Sequence, residues 1–313
     1  MSEIKILSMT TISERKDRFN LTFAKLMESI DLFDYIFINI DDNLDDTIKE
    51  EYTKYTLLNN KIRLILCPKE WRSAQKLLGP LSIFSNATIL TVDDDILYEK
   101  SLFEQILKAH EEYPNCIIPL ECNPVRKTET GIKYDNEIEL KLNQICYGKY
   151  LSNCCLFPQN TFENTDVFNM KKCYEITNGN HDELWFWINS TLIKGVPILH
   201  LNTLFSFGYI PKIEYKEDEF QLTNINNKTE VLETYNNKIS ENYKEYIDNF
   251  FSHNIQIKIN KDNVSPIFYL LKDIYDYYKD YNNIEFYFDK DVNISWKNAY
   301  IILVKDYDKI KII

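Results

Sequence analysis

Glycine is scarce in this chain, with six residues in 313. Neither G-x-G-x-x-G nor G-x-x-x-x-G-K-[ST] occurs, so the glycine-rich turns that hold a dinucleotide or a triphosphate are absent. A G-x-S-x-G elbow is missing too, and the four His have no nucleophile at a triad-like spacing. Sparse His and seven scattered Cys without a C-x-x-C pair exclude an ordinary zinc site. Cys67, Cys116, Cys146 and Cys173 sit beside apolar residues and read as reduced core thiols, and the adjacent Cys154-Cys155 pair is poorly placed to close on itself. A reducing cytoplasm fits that usage. Long hydrophobic runs are also missing: Met1 to Asn20 alternates apolar and charged residues, and no stretch approaches a bilayer-spanning length. There is no basic excess either. Thirty-six Lys and Arg against 48 Asp and Glu give a net charge of −12, which argues against nucleic acid as a partner and against docking of the body of the protein to an anionic membrane. Carboxylate chemistry is what remains, with a metal where a nucleotide's charge must be neutralised.

The most informative stretch is Thr88-Ile-Leu-Thr-Val-Asp93-Asp94-Asp95-Ile-Leu-Tyr98. Its β-branched start predicts a buried strand covered on both faces. Three carboxylates then follow at the carboxyl edge of the sheet, where open α/β folds bind ligands. A polar turn would explain one Asp. Three adjacent ones repel each other, and two carboxylates one residue apart suit a divalent cation that takes its other ligands from phosphates.

Around that strand the hydrophobic period alternates between two and about 3.6. Strands are predicted at Ile4–Ser8, Tyr35–Ile40, Ile62–Leu66 and Thr88–Val92. Helices are predicted at Asp17–Ile30, Thr47–Leu58, Ser73–Phe84 with a break near Gly79-Pro80, and Ser101–Tyr113 capped by Ser101. This succession implies an α/β fold, a mainly parallel sheet with helices on both faces. Glu121 to Asn143 reads as hairpins and loops. Asn164–Thr177 and Asp182–Lys194 read as helices, and Pro197–Leu201 as a short strand. From about Pro211 the composition shifts to Asn, Lys, Glu and Tyr. Helices are expected there at Lys228–Phe251 and Pro266–Tyr281, and closing strands at Ile284–Phe288 and Ala299–Val304. A boundary near residue 215 follows.

A second constellation is His181-Asp182-Glu183-Leu-Trp-Phe-Trp187. Acidic residues at a helix start are expected from the helix dipole alone. Beside the Asp triad the pair gains a second reading: a carboxylate kept ionised by the helix N-terminus and able to take a proton from a sugar hydroxyl. Lys76 reads either as a solvated charge or as a point charge for a diphosphate. His200 reads as a core His more readily than as a third metal ligand.

The order strand, Asp-x-Asp, then an acidic pair opening an aromatic helix resembles the nucleotide-sugar glycosyltransferases of the GT-A fold. Leu7-Ser-Met-Thr-Thr-Ile-Ser-Glu-Arg15, Ala74-Gln-Lys76-Leu-Leu-Gly-Pro80, Thr91-Val-Asp-Asp-Asp-Ile96 and Asp182-Glu-Leu-Trp185 resemble a bacterial GT-A family in that order, over about residues 4 to 205. The resemblance implies a GT-A-like, Rossmann-like catalytic domain over residues 1–215 and a smaller α+β accessory region over 216–313. It implies transfer of a sugar from a nucleoside-diphosphate sugar, of the UDP type, to a saccharide or lipid-linked saccharide in bacterial surface glycan synthesis. Thr10, Arg15 and Lys76 match family positions near the nucleotide. Asp95 would bind Mn²⁺ or Mg²⁺, Asp93 would share the metal or contact the ribose, and Asp94 would support the nucleotide-binding loop. Asp182 would be the general base, with Glu183 as the alternative, and direct attack implies inversion. Departures are Ser152-Asn-Cys-Cys-Leu-Phe-Pro158 in place of a Gly-rich acceptor loop, and Asp-Glu in place of Asp-Asp.

Two other classes stay open on the same residues. A nucleotidyltransferase or phosphotransferase would use the Asp cluster but release a different product, and a non-catalytic sugar-nucleotide-binding module would bind without turnover. The Tyr-rich stretch Tyr269–Tyr281 offers an aromatic face that would pack in cis, in a homodimer, or at the inner face of a membrane as a peripheral contact.

Overall fold

The computed structural model describes residues 3–313 apart from 124, 130, 135–143, 147–148, 180, 202–227 and 262. The first half runs β1 (Lys5–Thr10), α1 (Lys16–Leu26), β2 (Tyr35–Asp41), α2 (Asp46–Thr56), β3 (Ile62–Cys67), α3 (Gln75–Ile83), β4 (Thr88–Val92) and α4 (Lys100–Glu112). Then come β5 (Ile118–Asn123), β6 (Val125–Thr128), β7 (Gly131–Tyr134), β8 (Gln144–Cys146), β9 (Lys149–Phe157), α5 (Met170–Thr177), α6 (Asp182–Trp187) and β10 (Ile198–His200). The main sheet has the order β3-β2-β1-β4-β9-β5. Its first four strands are parallel, and β9 is antiparallel to both β4 and β5. The fold is Rossmann-like α/β.

Strand alternation sorts the core into two layers. Ile6, Phe37, Ile89 and Cys155 face α3 and α6, whereas Leu7, Ile36, Ile38, Leu90 and Cys154 face α1 and α4. Because β1 pairs with β2 on one side and β4 on the other, the chain reverses its winding between β1 and β4. That topological switch point opens a crevice at the carboxyl ends of these two strands.

Several boundaries differ from expectation. α3 passes through Gly79-Pro80 without a break, and the non-helical residue is Arg72 (φ 45°, ψ −130°), inside the 3₁₀ stretch Lys69–Ala74 that precedes it. α4 starts at Lys100, so Ser101 lies inside the first turn and is not the cap. The helix expected from Asn164 begins only at Met170, capped by Asn169, whose side chain accepts from Lys172 N–H.

The boundary expected near 215 falls outside the described residues. Beyond it lie α7 (Lys228–Asn242), α8 (Lys244–Phe251), β11 (Asn254–Ile259), α9 (Val264–Tyr269), α10 (Leu271–Tyr278), β12 (Asn283–Phe288), α11 (Ile294–Leu303) and β13 (Ile310–Ile312). β11, β12 and β13 form a second parallel sheet. The expected single helix over Lys228–Phe251 is divided at Tyr243. Ala299–Val304 is not a strand: Ala299 to Leu303 lies in α11, whose start is set by Asn293 accepting from Ser295 N–H at 2.8 Å. The aromatic face of the Tyr-rich stretch packs inward, with Tyr277, Tyr278 and Tyr281 buried and Phe250 and Phe251 against Tyr281. Arg126 donates to the Tyr277 carbonyl at 2.8 Å, and Ile132 N–H donates to Ser240 Oγ, tying the β6–β7 hairpin to this region. Among the described residues no helix is long and apolar enough to cross a membrane.

One glycine is fixed by contact and not by its backbone angle. A Cβ on Gly79 would lie 2.0 Å from Asn39 Oδ1, and Asn39 is anchored by its Nδ2 donating to Met9 O at 2.7 Å and Ser8 Oγ at 2.9 Å. Gly79→Ala is therefore expected to lower stability by about 1–3 kcal/mol, the usual cost of overpacking. Chemical denaturation checks this, and an unchanged midpoint would contradict the close approach of α3 to β2.

Candidate active site

The carboxyl end of β1 is stitched to α3 by polar contacts. Thr10 Oγ1 lies 2.9 Å from Gln75 Oε1 and 3.0 Å from the Asn39 carbonyl, and Gln75 Nε2 donates to Asp41 at the end of β2. Gln75 and Lys76 open α3, so the same turn that reaches Thr10 aims an ammonium at the end of β4.

There the Asp triad begins. The Asp93 N–H donates to Tyr98 Oη at 3.1 Å, and Asp93 Oδ1 accepts from Lys76 Nζ at 2.7 Å. Asp94 turns the other way: its Oδ1 accepts from Arg15 Nη1 at 3.1 Å, and its carbonyl accepts from Thr22 Oγ1 at 3.0 Å. Arg15 and Asp94 thus brace the loop against α1. Asp95 is 7% exposed, and among the described residues no hydrogen bond or ion pair holds its carboxylate.

The acidic pair arrives from α6. Asp182 Oδ1 accepts from Ser73 Oγ at 2.9 Å, while Oδ2 lies 3.6 Å from Lys76 Nζ, buried and without a hydrogen-bond donor. Glu183 Oε1 faces His181 Nδ1 at 3.1 Å. Lys76, 4% exposed, therefore joins Asp93 and Asp182 across a large separation in sequence. The alternative of a solvated Lys76 does not hold. Its ammonium is already occupied by carboxylates of the protein.

One cation among several carboxylates sets the electrostatics. Burial works against the charge of Lys76, but Asp182 and Asp93 outweigh it and raise its pKa. A simple ion pair would lower the carboxyl partner. Instead burial pushes Asp93 up to about 6 despite Lys76, with Asp95 and Asp182 adding to the rise. Burial raises Asp182 as well, against the pull of Lys76. The helix that Asp182 opens runs on as a π-helix over Ile188–Ile193, and desolvation is the largest influence on the Asp182 carboxyl.

The site therefore carries excess negative charge, and an added cation would relieve it. Among the described residues no three His, Cys, Asp or Glu are arranged to hold a metal ion. The donor set fits a cation delivered with a ligand's phosphates: Asp95 offers an uncommitted carboxylate, and Asp93 could join if it shared itself with Lys76. His200 is buried in β10 and belongs to no such group. Ser73, Gln75, Tyr98 and His181 were not singled out as site residues by sequence reasoning. Gln75 directly precedes Lys76 and His181 directly precedes Asp182, and that adjacency was the available signal.

No protein-family model and no curated protein matches the chain. Among solved structures it is similar to 4-diphosphocytidyl-2C-methyl-D-erythritol synthase from Anaerococcus prevotii DSM 20548. The identity is 16% and the TM-score 0.32, over 55% of this chain and 77% of that one. A likeness that loose adds nothing to the reading of the site.

Lys76→Met would leave the buried Asp182 carboxylate and the partly buried Asp93 carboxylate without their shared cation. The expected loss is about 3–5 kcal/mol, as for removing one partner of a buried ion pair. Adding Asp182→Asn to Lys76→Met should recover part of it. Denaturant titration of the three proteins checks this, and a Lys76→Met variant as stable as wild type would contradict the bridge.

Proposed function

We propose that the protein is a metal-dependent glycosyltransferase that moves a sugar from a nucleoside-diphosphate sugar of the UDP type to a saccharide or lipid-linked saccharide. The observation that carries this reading is the meeting of Asp93, the first residue of the Asp triad, and the Asp182 carboxylate on one buried Lys76, at the switch point of a Rossmann-like sheet. Asp95, with Asp93 beside it, would hold Mn²⁺ or Mg²⁺ together with the diphosphate. When bound, the cation supplies Lewis-acid neutralisation of the leaving diphosphate. Thr10 and its partner Gln75 line the nucleotide side at the end of β1. Arg15 acts through Asp94, fixing the loop that carries Asp95.

Asp182 is the group for the acceptor. Its Oδ2 lacks a donor, and burial raises its proton affinity toward that useful in a general base. The acceptor hydroxyl gives its proton to Asp182, and its oxygen attacks the anomeric carbon. The bond from that carbon to the diphosphate oxygen breaks, with the electron pair leaving on the diphosphate. Attack from the side opposite the leaving group inverts the configuration. Glu183, engaged with His181, is the second candidate base.

Calorimetry with UDP is expected to give binding in Mn²⁺ that is lost in chelator and lost in Asp95→Ala, because unscreened carboxylates repel a diphosphate. Equal affinity with and without metal would contradict the reading. Asp182→Asn should leave that binding intact and slow single-turnover transfer by about 10²–10⁴-fold, the usual contribution of a positioned base. Glu183→Gln should cost less. Near wild-type rates in both variants would reduce the acidic pair to a helix start, and release of pyrophosphate in place of nucleoside diphosphate would point to nucleotidyl transfer.

A further inference from the structure

The turn that delivers the acidic pair is gripped from outside the main sheet. α5 ends at Asn178 in a left-handed conformation (φ 53°), Gly179 follows at φ 70°, and His181 then caps α6 immediately before Asp182. Two contacts from α7 close on this turn. The Tyr235 ring meets the His181 imidazole edge-on, with centroids 5.2 Å apart and planes at 68°. Lys238, one turn further along α7, reaches Asn178 Oδ1 at 3.5 Å. Tyr235 is 1% exposed, so its ring has one packed position.

We propose that Tyr235 is a positioning residue for the acidic pair, acting through His181, so that helix α7 of the C-terminal region is part of the active site. The proposal rests on the transferase reading for its kinetic consequence and on geometry for its structural one. His181 Nδ1 sits 3.1 Å from Glu183 Oε1, and since a carboxylate only accepts, the imidazole donates from Nδ1. Edge-on packing by Tyr235 fixes the plane of the imidazole and hence the direction of that N–H. His181 holds one oxygen of Glu183, whose carboxyl adjoins that of Asp182, and Asp182 keeps Ser73 on one oxygen while the other faces Lys76. Without the ring, the imidazole swings and the Glu183 carboxyl that adjoins Asp182 loses its fixed partner.

The test compares Tyr235→Leu, Tyr235→Phe, His181→Leu and His181→Asn in the full chain. Phe keeps the ring, and Asn places an amide N–H near the position of Nδ1. Tyr235→Leu and His181→Leu are each expected to lower kcat for transfer by about 10- to 100-fold, the scale of a small misplacement of a reacting group. The KM for the sugar nucleotide should change less than about two-fold, since neither residue acts on the nucleotide. Tyr235→Phe and His181→Asn should recover most of the rate. The double variant Tyr235→Leu/His181→Leu should be no slower than the slower single one, because both act through one contact. Long-range ¹H–¹⁵N spectra of His181 give a readout that needs no turnover: the Nδ1–H tautomer in wild type and Tyr235→Phe, and a mixture of tautomers in Tyr235→Leu. An unchanged tautomer in Tyr235→Leu, or rate losses that multiply in the double variant, would overturn the proposal. His181→Leu stays informative if Tyr235→Leu does not fold, because His181 is partly exposed and wild-type kcat there would also overturn it. Absence of transfer from any sugar nucleotide would defeat the transferase reading alone, and the tautomer would still decide the role of Tyr235.

Discussion

One buried ammonium holds this site together. Lys76 reaches a strand end and a helix start with a single Nζ, 2.7 Å from Asp93 and 3.6 Å from Asp182. Burying Lys76 and Asp182, with Asp93 partly buried beside them, is expensive, and well-packed apolar residues at those positions would be no less stable. The arrangement therefore makes most sense as positioning. It sets the distance between the carboxylates that would meet a metal-bound diphosphate and the carboxylate that would meet an acceptor. It also explains why Lys76 and Asp93 both have raised pKa values, since one cation is shared by more carboxylates than it can neutralise.

The fold supplies the rest of that geometry. Parallel strands end on the same side of the sheet, so Thr10, Asp41 and Asp93 arrive at one edge without any long loop. α3 crosses beneath them with Gln75 and Lys76 at its first turn, and the close pass of Gly79 over Asn39 fixes its height. Asp182 comes from the other end of the chain's first two-thirds, and its turn is contacted by α7, which begins at Lys228. The C-terminal region is thereby coupled to the site by contact.

The parallel half of the sheet was legible because its strands are short apolar runs separated by amphipathic helices, and Thr88–Val92 leading into three Asp marked the site. What the sequence did not reveal is mostly non-local. The insertion of β9 between β4 and β5 is antiparallel pairing across a long separation, which no local pattern encodes. The depth of Lys76 depended on Asp182, far away in the chain. In the C-terminal region the signals were present but ambiguous. The alternation of Ile255, Ile257 and Ile259 marked β11, and Asn293 marked the start of α11, yet the apolar run after Ala299 fits a strand as well as a helix. The raised pKa of Asp182 had no sequence signature, because its largest cause is burial by distant parts of the chain.

A crystal structure of the protein with UDP and Mn²⁺ tests the central claim most directly. The expected result is a cation held by Asp95 together with the diphosphate. It also includes Lys76 still bridging Asp93 and Asp182, and Asp182 Oδ2 facing the space beyond the outer phosphate. A nucleotide bound away from the carboxyl ends of β1 and β4, or a diphosphate held with Asp95 and Asp182 both remote from it, would contradict it.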